Sequence, residues 1–311
     1  MRRLAAMLLC PLLLAGLLAG CGGDSATDQA EKKGLPKVTG DYGNKPKVEA
    51  QKDKKPGATV QSAVLKEGDG PKVAKGDLLV ADYLGQVYGT SKVFDNSYDR
   101  GQPAGFQIGV GQVIKGWDKT LVGVKAGSRV LMVIPPADGY GAQGNPQAGI
   151  KGTDSLVFVV DVIASYGKDA DKPNGKQVSD LPTGLPKVEG QLGSRPKVTV
   201  AKGLTPPKAT RATVVATGNG QKVEKNKLVV VEYEAISWSG QALDSTWKTG
   251  VPQGFPVGVQ GQTSPFDQLV GVPVGSRVLL ELPAQQGGNP AKDSVAVAID
   301  VVAQHGPAKE S

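Results

Sequence analysis

Gln112-Val113-Ile114-Lys115-Gly116-Trp117-Asp118 sets an indole directly behind a glycine, at the entrance of a short helical pattern running from Trp117 to Val122. An aromatic there can line a cavity instead of vanishing into a core. Two loop-like stretches put a further aromatic beside a polar group: Val93-Phe94-Asp95-Asn96-Ser97 upstream, and Ile134-Pro135-Pro136-Ala137-Asp138-Gly139-Tyr140-Gly141 downstream. The three are expected to converge on one pocket, with Trp117 as its flat apolar floor.

Around them, Leu78–Leu84, Ser128–Ile134 and Ser155–Ile163 are rich in β-branched residues and bounded by Gly or Asp turns, the pattern of strands. Trp117–Val122 is the one helical candidate. The unit is therefore predicted to be α+β, an antiparallel sheet half-buried under one short helix on its apolar face.

Much of this recurs later in the chain. Gly34-Leu35-Pro36-Lys37-Val38 returns as Gly184-Leu185-Pro186-Lys187-Val188, and Lys45-Pro46-Lys47-Val48 as Arg195-Pro196-Lys197-Val198. Beyond these, Gly68-Asp69-Gly70-Pro71-Lys72-Val73 pairs with Gly218-Asn219-Gly220-Gln221-Lys222-Val223. A whole unit has been duplicated, so both copies should share a fold. The stretches before each copy are poor in large apolar residues and cannot bury enough surface to offset chain entropy. They are expected to be a flexible tether at 21–56 and a linker at 168–207, with folded units at 57–167 and 208–306 and a tail at 307–311.

The 311 residues suffice for two cores of about 100 residues each. Arg2 and Arg3 precede an apolar run from Leu4 to Leu18, short for a membrane span, which marks residues 1–20 as a secretory signal peptide. Leu18-Ala19-Gly20-Cys21 is similar to a bacterial lipobox, which implies lipidation of Cys21 and a membrane anchor; the alternative is a plain signal peptide with a coincidental Cys. Cys10 lies inside the apolar run and would be lost with it, leaving no disulfide partner. A net charge of +7, spread over Pro- and Gly-rich segments, forms no basic stripe with interleaved aromatics, and nucleic-acid binding is excluded on that ground. His305, the one His, has no carboxylate or Cys nearby in a tail-like stretch, so neither a metal site nor a catalytic triad has a base, and no cofactor is expected.

Tyr83, Phe94-Asp95-Asn96-Ser97, Asp99-Arg100, Gln112 to Trp117, Gly127, Tyr140-Gly141 and Phe158 resemble, in order and spacing, the FKBP family of peptidyl-prolyl isomerases over about Gly57 to Gly167. The resemblance implies two FKBP-like domains, each a twisted antiparallel sheet wrapped around one short helix. It also implies a pocket for the proline ring with Trp117 as floor and Tyr83, Phe94, Val113, Ile114, Ile150 and Phe158 as walls. Asp95 and Tyr140 would be the polar groups near the substrate carbonyls, with Arg100 beside them. Proline-containing unfolded or exported polypeptides are the implied substrates, and macrolides possible ligands. The chain departs from the family at Pro103-Ala104-Gly105, Gln112 and Asn145, while Phe106 reads as a core residue.

The bland readings stay open beside these. Trp117 and Phe158 could be core residues, Asp95 a turn-former beside Asn96, and Tyr88 and Tyr98 surface aromatics. Asp95 could orient Tyr83 or Arg100, or face the twisted carbonyl. In the second copy Leu243-Asp244-Ser245 replaces Phe94-Asp95-Asn96, Thr249 replaces Arg100, Pro265-Phe266 stands for the Trp stretch, the Tyr140 loop is shortened, and Val297 replaces Phe158. A retained fold with an eroded pocket is expected there. The leading expectation is an exported, lipid-anchored isomerase; the alternative is a lipid-anchored binding protein or chaperone that captures proline-containing peptides without useful turnover.

Overall fold

Strict alternation builds the first sheet. The computed structural model describes residues 26–168, 173–285 and 288–308. In chain order these form α1 (Ala26–Lys32), β1 (Val38–Thr39), β2 (Lys47–Val48), β3 (Gln61–Lys66), β4 (Leu78–Val87), β5 (Val93–Asn96), β6 (Ala104–Gln107), α2 (Lys115–Leu121), β7 (Arg129–Ile134) and β8 (Leu156–Tyr166). The strand order is β3-β7-β8-β4-β5, with β6 pairing Leu78–Ala81 on the same edge of β4 that β5 pairs at Leu84–Gln86, and every pairing is antiparallel. Tyr83, Val130, Met132, Ile134, Phe158 and Val160 face α2, whereas Leu84, Leu131, Val133, Val157 and Val159 face away from it into a second cluster.

That second cluster overturns two expectations, the half-exposed sheet and the free tether. Ala30, Leu35, Val38, Tyr42 and Val48 are buried, and most of them cover the outer face of the sheet. Residues 26–48 are better described as a strap. A few apolar side chains cannot make their own core, but they can cap one already formed. The strap is also clamped from within: Arg129 Nε and Nη2 donate to Asp161 at 2.6 and 2.7 Å, while its guanidinium also donates to Gly40 O and, at 2.7 Å, to Asn44 O. Gly43 N and the Tyr42 and Tyr98 hydroxyls complete the group by donating to Asp161 or to Val162 O. Tyr98 is thus half-buried and bonded, not a surface aromatic, and Tyr88 likewise donates to Gln51 Oε1 at 2.8 Å.

The remaining elements are β9 (Gly175–Gln177), β10 (Lys187–Glu189), β11 (Lys197–Thr199), β12 (Arg211–Gly218), β13 (Lys227–Ser237), β14 (Ala242–Ser245), β15 (Gln253–Val257), β16 (Arg277–Leu282), α3 (Pro290–Asp293) and β17 (Val295–His305). The second sheet runs β12-β16-β17-β13-β14 with β15 beside β13, repeating the first order, and adds β9 at the edge of β12. The expected linker at 168–207 is therefore no loose connection over its described part. Its β10–β11 hairpin packs Leu185, Val188, Val198 and Leu204 on the outer face of this sheet. Arg277, paired with Asp300 at 2.5 Å, donates to Gly190 O and Ser194 O as Arg129 does to the first strap. The helix expected in this copy is a single 3-10 turn, Pro265–Leu269, opened by a Ser264 capping box.

The two sheets touch. Leu78 and Val80 pack with Leu228, Val230 and Val251, Gln102 Nε2 donates to Lys227 O at 2.7 Å, and Ala308 N donates to buried Asp82 at 2.6 Å. His305, expected in a tail, ends β17 and lies 2.6 Å from the Tyr166 hydroxyl. Burial lowers its pKa to about 4, which keeps the imidazole neutral. No described helix is long and apolar enough to cross a membrane. The expected signal peptide at 1–20 and the expected lipidation site Cys21 lie outside the described residues.

Candidate functional site

Helix α2 has only seven residues, too few to stand alone, and is held by what it buries. Gly116 lets it sit flush on β7, since a Cβ there would fall 2.6 Å from Ile134 Cδ1. This is the physical content of the Gly before Trp117. Asp118, one residue on, accepts from Gly109 N at 2.6 Å and Gly111 N at 2.8 Å, which fixes the loop that leads to Val113 and Ile114.

Over the helix entrance opens a cavity of about 630 Å³, within the range of small-molecule clefts, and the aromatic rings form its walls. Trp117 is 3% exposed and meets Phe106, Phe158 and Tyr83 edge to face at 4.9, 5.3 and 5.7 Å. Phe94 packs on Phe158 in the same way at 5.6 Å. Edge-to-face packing turns ring faces and edges toward one space, giving a rigid apolar lining.

A polar triad stands at the rim. Tyr83 donates its hydroxyl to Asp95 Oδ2 at 2.5 Å, while Arg100 donates to Asp95 Oδ1 at 2.6 Å and to the Tyr83 oxygen at 2.8 Å. Burial, reinforced by the Asp95 bond, pushes the Tyr83 pKa up to about 12, so its proton stays in place. Each oxygen of Asp95 already accepts a bond, so among the roles considered for it, orienting Tyr83 and Arg100 fits the geometry. Tyr140 is partly exposed at the opposite lip, flanked by Gly139 and Gly141.

Of the predicted residues, Tyr83, Phe94, Asp95, Val113, Ile114, Trp117, Tyr140 and Phe158 line this cavity. Arg100 and Ile150 do not. Arg100 is turned to Asp95 and Tyr83, where it serves the rim instead of touching the interior. Ile150 is 3% exposed in the core cluster, drawn in by the paired main-chain bonds that it exchanges with Asn145 at 2.9 Å. Phe106, read as core, is a wall of the cavity; its alternation with Ile108 was the signal that both point inward.

Residues 70–163 match the family of FKBP-type peptidyl-prolyl cis-trans isomerases. An FK506-binding protein of Streptomyces anulatus is 41% identical over 98 residues, covering 32% of this chain and 79% of that protein. FK506-binding protein 2 of Dictyostelium discoideum is 46% identical over 92 residues, 30% of this chain and 68% of that protein. FK506-binding protein 1 of Debaryomyces hansenii is 42% identical over 107 residues, 34% and 94% of the two. The chain belongs to the FKBP-type peptidyl-prolyl cis-trans isomerases.

The FKBP cavity depends on one further residue that sequence reading passed over. Gly85, on β4, faces Phe94 and Phe158, and a Cβ there would come within 2.6 and 2.8 Å of their rings. By register the matching residue of the second sheet is Ala235, which faces Val297 as Gly85 faces Phe158. We expect Gly85→Ala to push the Phe94–Phe158 pair into the cavity at an overpacking cost of about 1–3 kcal/mol. Loss of kcat/KM on a short X–Pro peptide, with the melting transition still cooperative, checks this; full activity would contradict it.

In the second sheet the equivalent space is filled. Phe255 pairs with Val229 as Phe106 does with Leu79, and Asp267 accepts from Gly258 N as Asp118 does from Gly109 N, which sets Phe266 in the place of Trp117. Phe255 and Phe266 then stack at 3.8 Å with 12° between planes, instead of standing edge to face around a void. Tyr233 still donates to Asp244, but with Thr249 in place of Arg100 the triad has lost its cation.

Proposed function

We propose that this isomerase turns over X–Pro bonds of exported polypeptides in the first cavity, without covalent chemistry. Rotation about the amide faces a barrier of about 18–20 kcal/mol because resonance is lost on twisting. A dry aromatic well disfavours the planar, dipolar amide more than the twisted one, and so lowers that barrier. Trp117 would be the floor under the proline ring, with Phe94, Phe106 and Phe158 as walls. Ile114 N–H or the Tyr140 hydroxyl would fix the flanking carbonyl, and Asp95 and Arg100 would hold Tyr83 in place. The observation that carries this reading is the group of edge-to-face rings around Trp117 beside a fully engaged Tyr83–Asp95–Arg100 triad. The names of the FK506-binding relatives support macrolides as ligands of the same well.

The test is a protease-coupled assay on a short X–Pro peptide with the full chain. Turnover abolished by a macrolide is the expected result, and a chain that binds the peptide without accelerating cis–trans exchange would favour the capture reading.

The chain would consist of two tandem FKBP-like domains, 57–167 and 208–306, each with its strap, the second degenerate. The repeated strand order and the Phe255–Phe266 stack support this. Export and anchoring rest on residues 1–21 alone: a signal peptide, then Cys21 acylated as the mature N-terminus. Stable attachment needs more than one acyl chain, which lipoprotein processing would supply. Cys21→Ser should move the protein from the membrane fraction to the soluble one; undiminished partitioning with membranes would end the lipoprotein assignment.

A further inference from the structure

Beside the aromatic cavity runs a second, smaller cleft of about 350 Å³ whose far wall comes from the other sheet. Phe106, Gln112 and Val113 line both spaces, so the two adjoin at these three residues. Gln107 completes the near wall, and Thr249, Pro252 and Gln253 form the far one. We propose that this cleft is a subsite for the polypeptide flanking the proline, and that the second sheet thereby takes part in substrate selection although its own pocket is closed. The proposal rests on the isomerase reading of the first cavity.

Three observations select an extended, uncharged chain as the occupant. None of the residues lining the cleft is ionisable, whereas the aromatic cavity carries Asp95 and Lys115 on its wall. The polar groups are the amides of Gln107, Gln112 and Gln253 and the Thr249 hydroxyl. Gln107 Nε2 already donates to Gly76 O and Thr249 Oγ1 to Thr246 O, so donation to a peptide main chain falls to Gln112 and Gln253, and acceptance is open to all four. Finally, β6 is paired with β4 alone and β15 with β13 alone among the described residues, so both strands bordering the cleft keep a main-chain edge without a ladder. An extended segment can add to such an edge. Gly105 and Gly254 stand where the strands approach most closely; a Cβ on Gly105 would lie 3.7 Å from Gly254 Cα.

The contact that holds the cleft together shares Leu78 and Val251 with its lining, but none of its polar side chains. It consists of the Leu78–Val80–Leu228–Val230 cluster and the Gln102–Lys227 and Asp82–Ala308 bonds. Gln253 is exposed and its side chain bonds to none of these residues, whereas Thr249 Oγ1 accepts from Val251 N of that contact, so Gln253→Ala alone serves as a second variant that leaves the contact untouched.

The experiment compares the full chain with the double variant Thr249→Ala, Gln253→Ala on two substrates: a short X–Pro peptide that fills only the cavity, and a longer peptide with the same X–Pro bond between uncharged flanks. Two lost hydrogen bonds at the net strength usual in water should lower the ratio of long-peptide to short-peptide kcat/KM by about tenfold, mainly through KM. An unchanged ratio overturns the subsite while leaving the isomerase reading intact. Absence of turnover on the short peptide by the unsubstituted chain overturns both.

Discussion

Arg129→Ala is expected to cost about 3–5 kcal/mol of folding stability, the usual result of removing one partner of a fully buried ion pair. Arg129 is 2% exposed and Asp161 0%, and the substitution removes the counter-ion of the carboxylate and the donor to its Oδ1, leaving only Gly43 N and the Tyr98 hydroxyl on Oδ2, while freeing the carbonyls of Gly40 and Asn44. Burial that is tolerable for a satisfied group becomes costly for an unsatisfied one. The strap would then detach before the sheet unfolds, so urea unfolding should show an early step, and limited proteolysis should cut between residues 26 and 56. Arg129→Lys should recover little, because a single ammonium cannot reach three acceptors in the plane of a guanidinium fork. A midpoint for Arg129→Ala equal to that of the unsubstituted chain would remove the clamp from the account of this fold.

Trp117→Ala should lower kcat/KM on a short X–Pro peptide by about tenfold or more, each tenfold being about 1.4 kcal/mol of transition-state contact. The indole is also a structural member, packed on three other rings, and its truncation carries a stability cost of about 3–5 kcal/mol. The two effects separate by measuring activity well below the variant's melting transition. Phe266→Ala, at the matching place in the second sheet, should cost stability without a comparable loss of turnover. If Trp117→Ala retains full activity in a folded chain, the catalytic site lies elsewhere, and residual activity that disappears with Phe266→Ala would locate it in the second copy.

The strands of both sheets were legible because runs such as Leu78–Leu84 and Ser128–Ile134 are apolar, bounded by turns and, in the second, carry β-branched residues to both faces, whereas it was the resemblance to the FKBP family that placed Trp117 with Tyr83, Phe94 and Phe158. The straps were not. Leu35, Val38 and Val48 are too few and too scattered to announce a core, and they gain meaning only when set against Leu131 and Val159 on a face that the sequence suggested was wet. The role of Arg129 was equally invisible, since its acceptors lie 85 and 89 residues away at Asn44 and Gly40. Phe106 was hidden by brevity: a four-residue strand offers one inward aromatic, and its alternation with Ile108 marks both as inward without telling a cavity wall from a core residue. The closure of the second pocket could be inferred from lost residues, but the ring stacking that fills it depends on a 3-10 turn replacing α2, which propensity does not distinguish from a short helix.

The docked strap also acts as a ruler. Helix α1 opens at Ala26, only five residues from Cys21, and from there onward the chain is spoken for by the sheet that it covers. A fully extended residue spans at most about 3.6 Å, so an acylated Cys21 would keep the start of the folded body within about 18 Å of the bilayer surface, whatever path residues 21–25 follow. A free tether of the length first expected would have let the enzyme roam a deep hemisphere of solvent. This one would patrol a thin layer, where the chains it meets are those just emerging from the membrane.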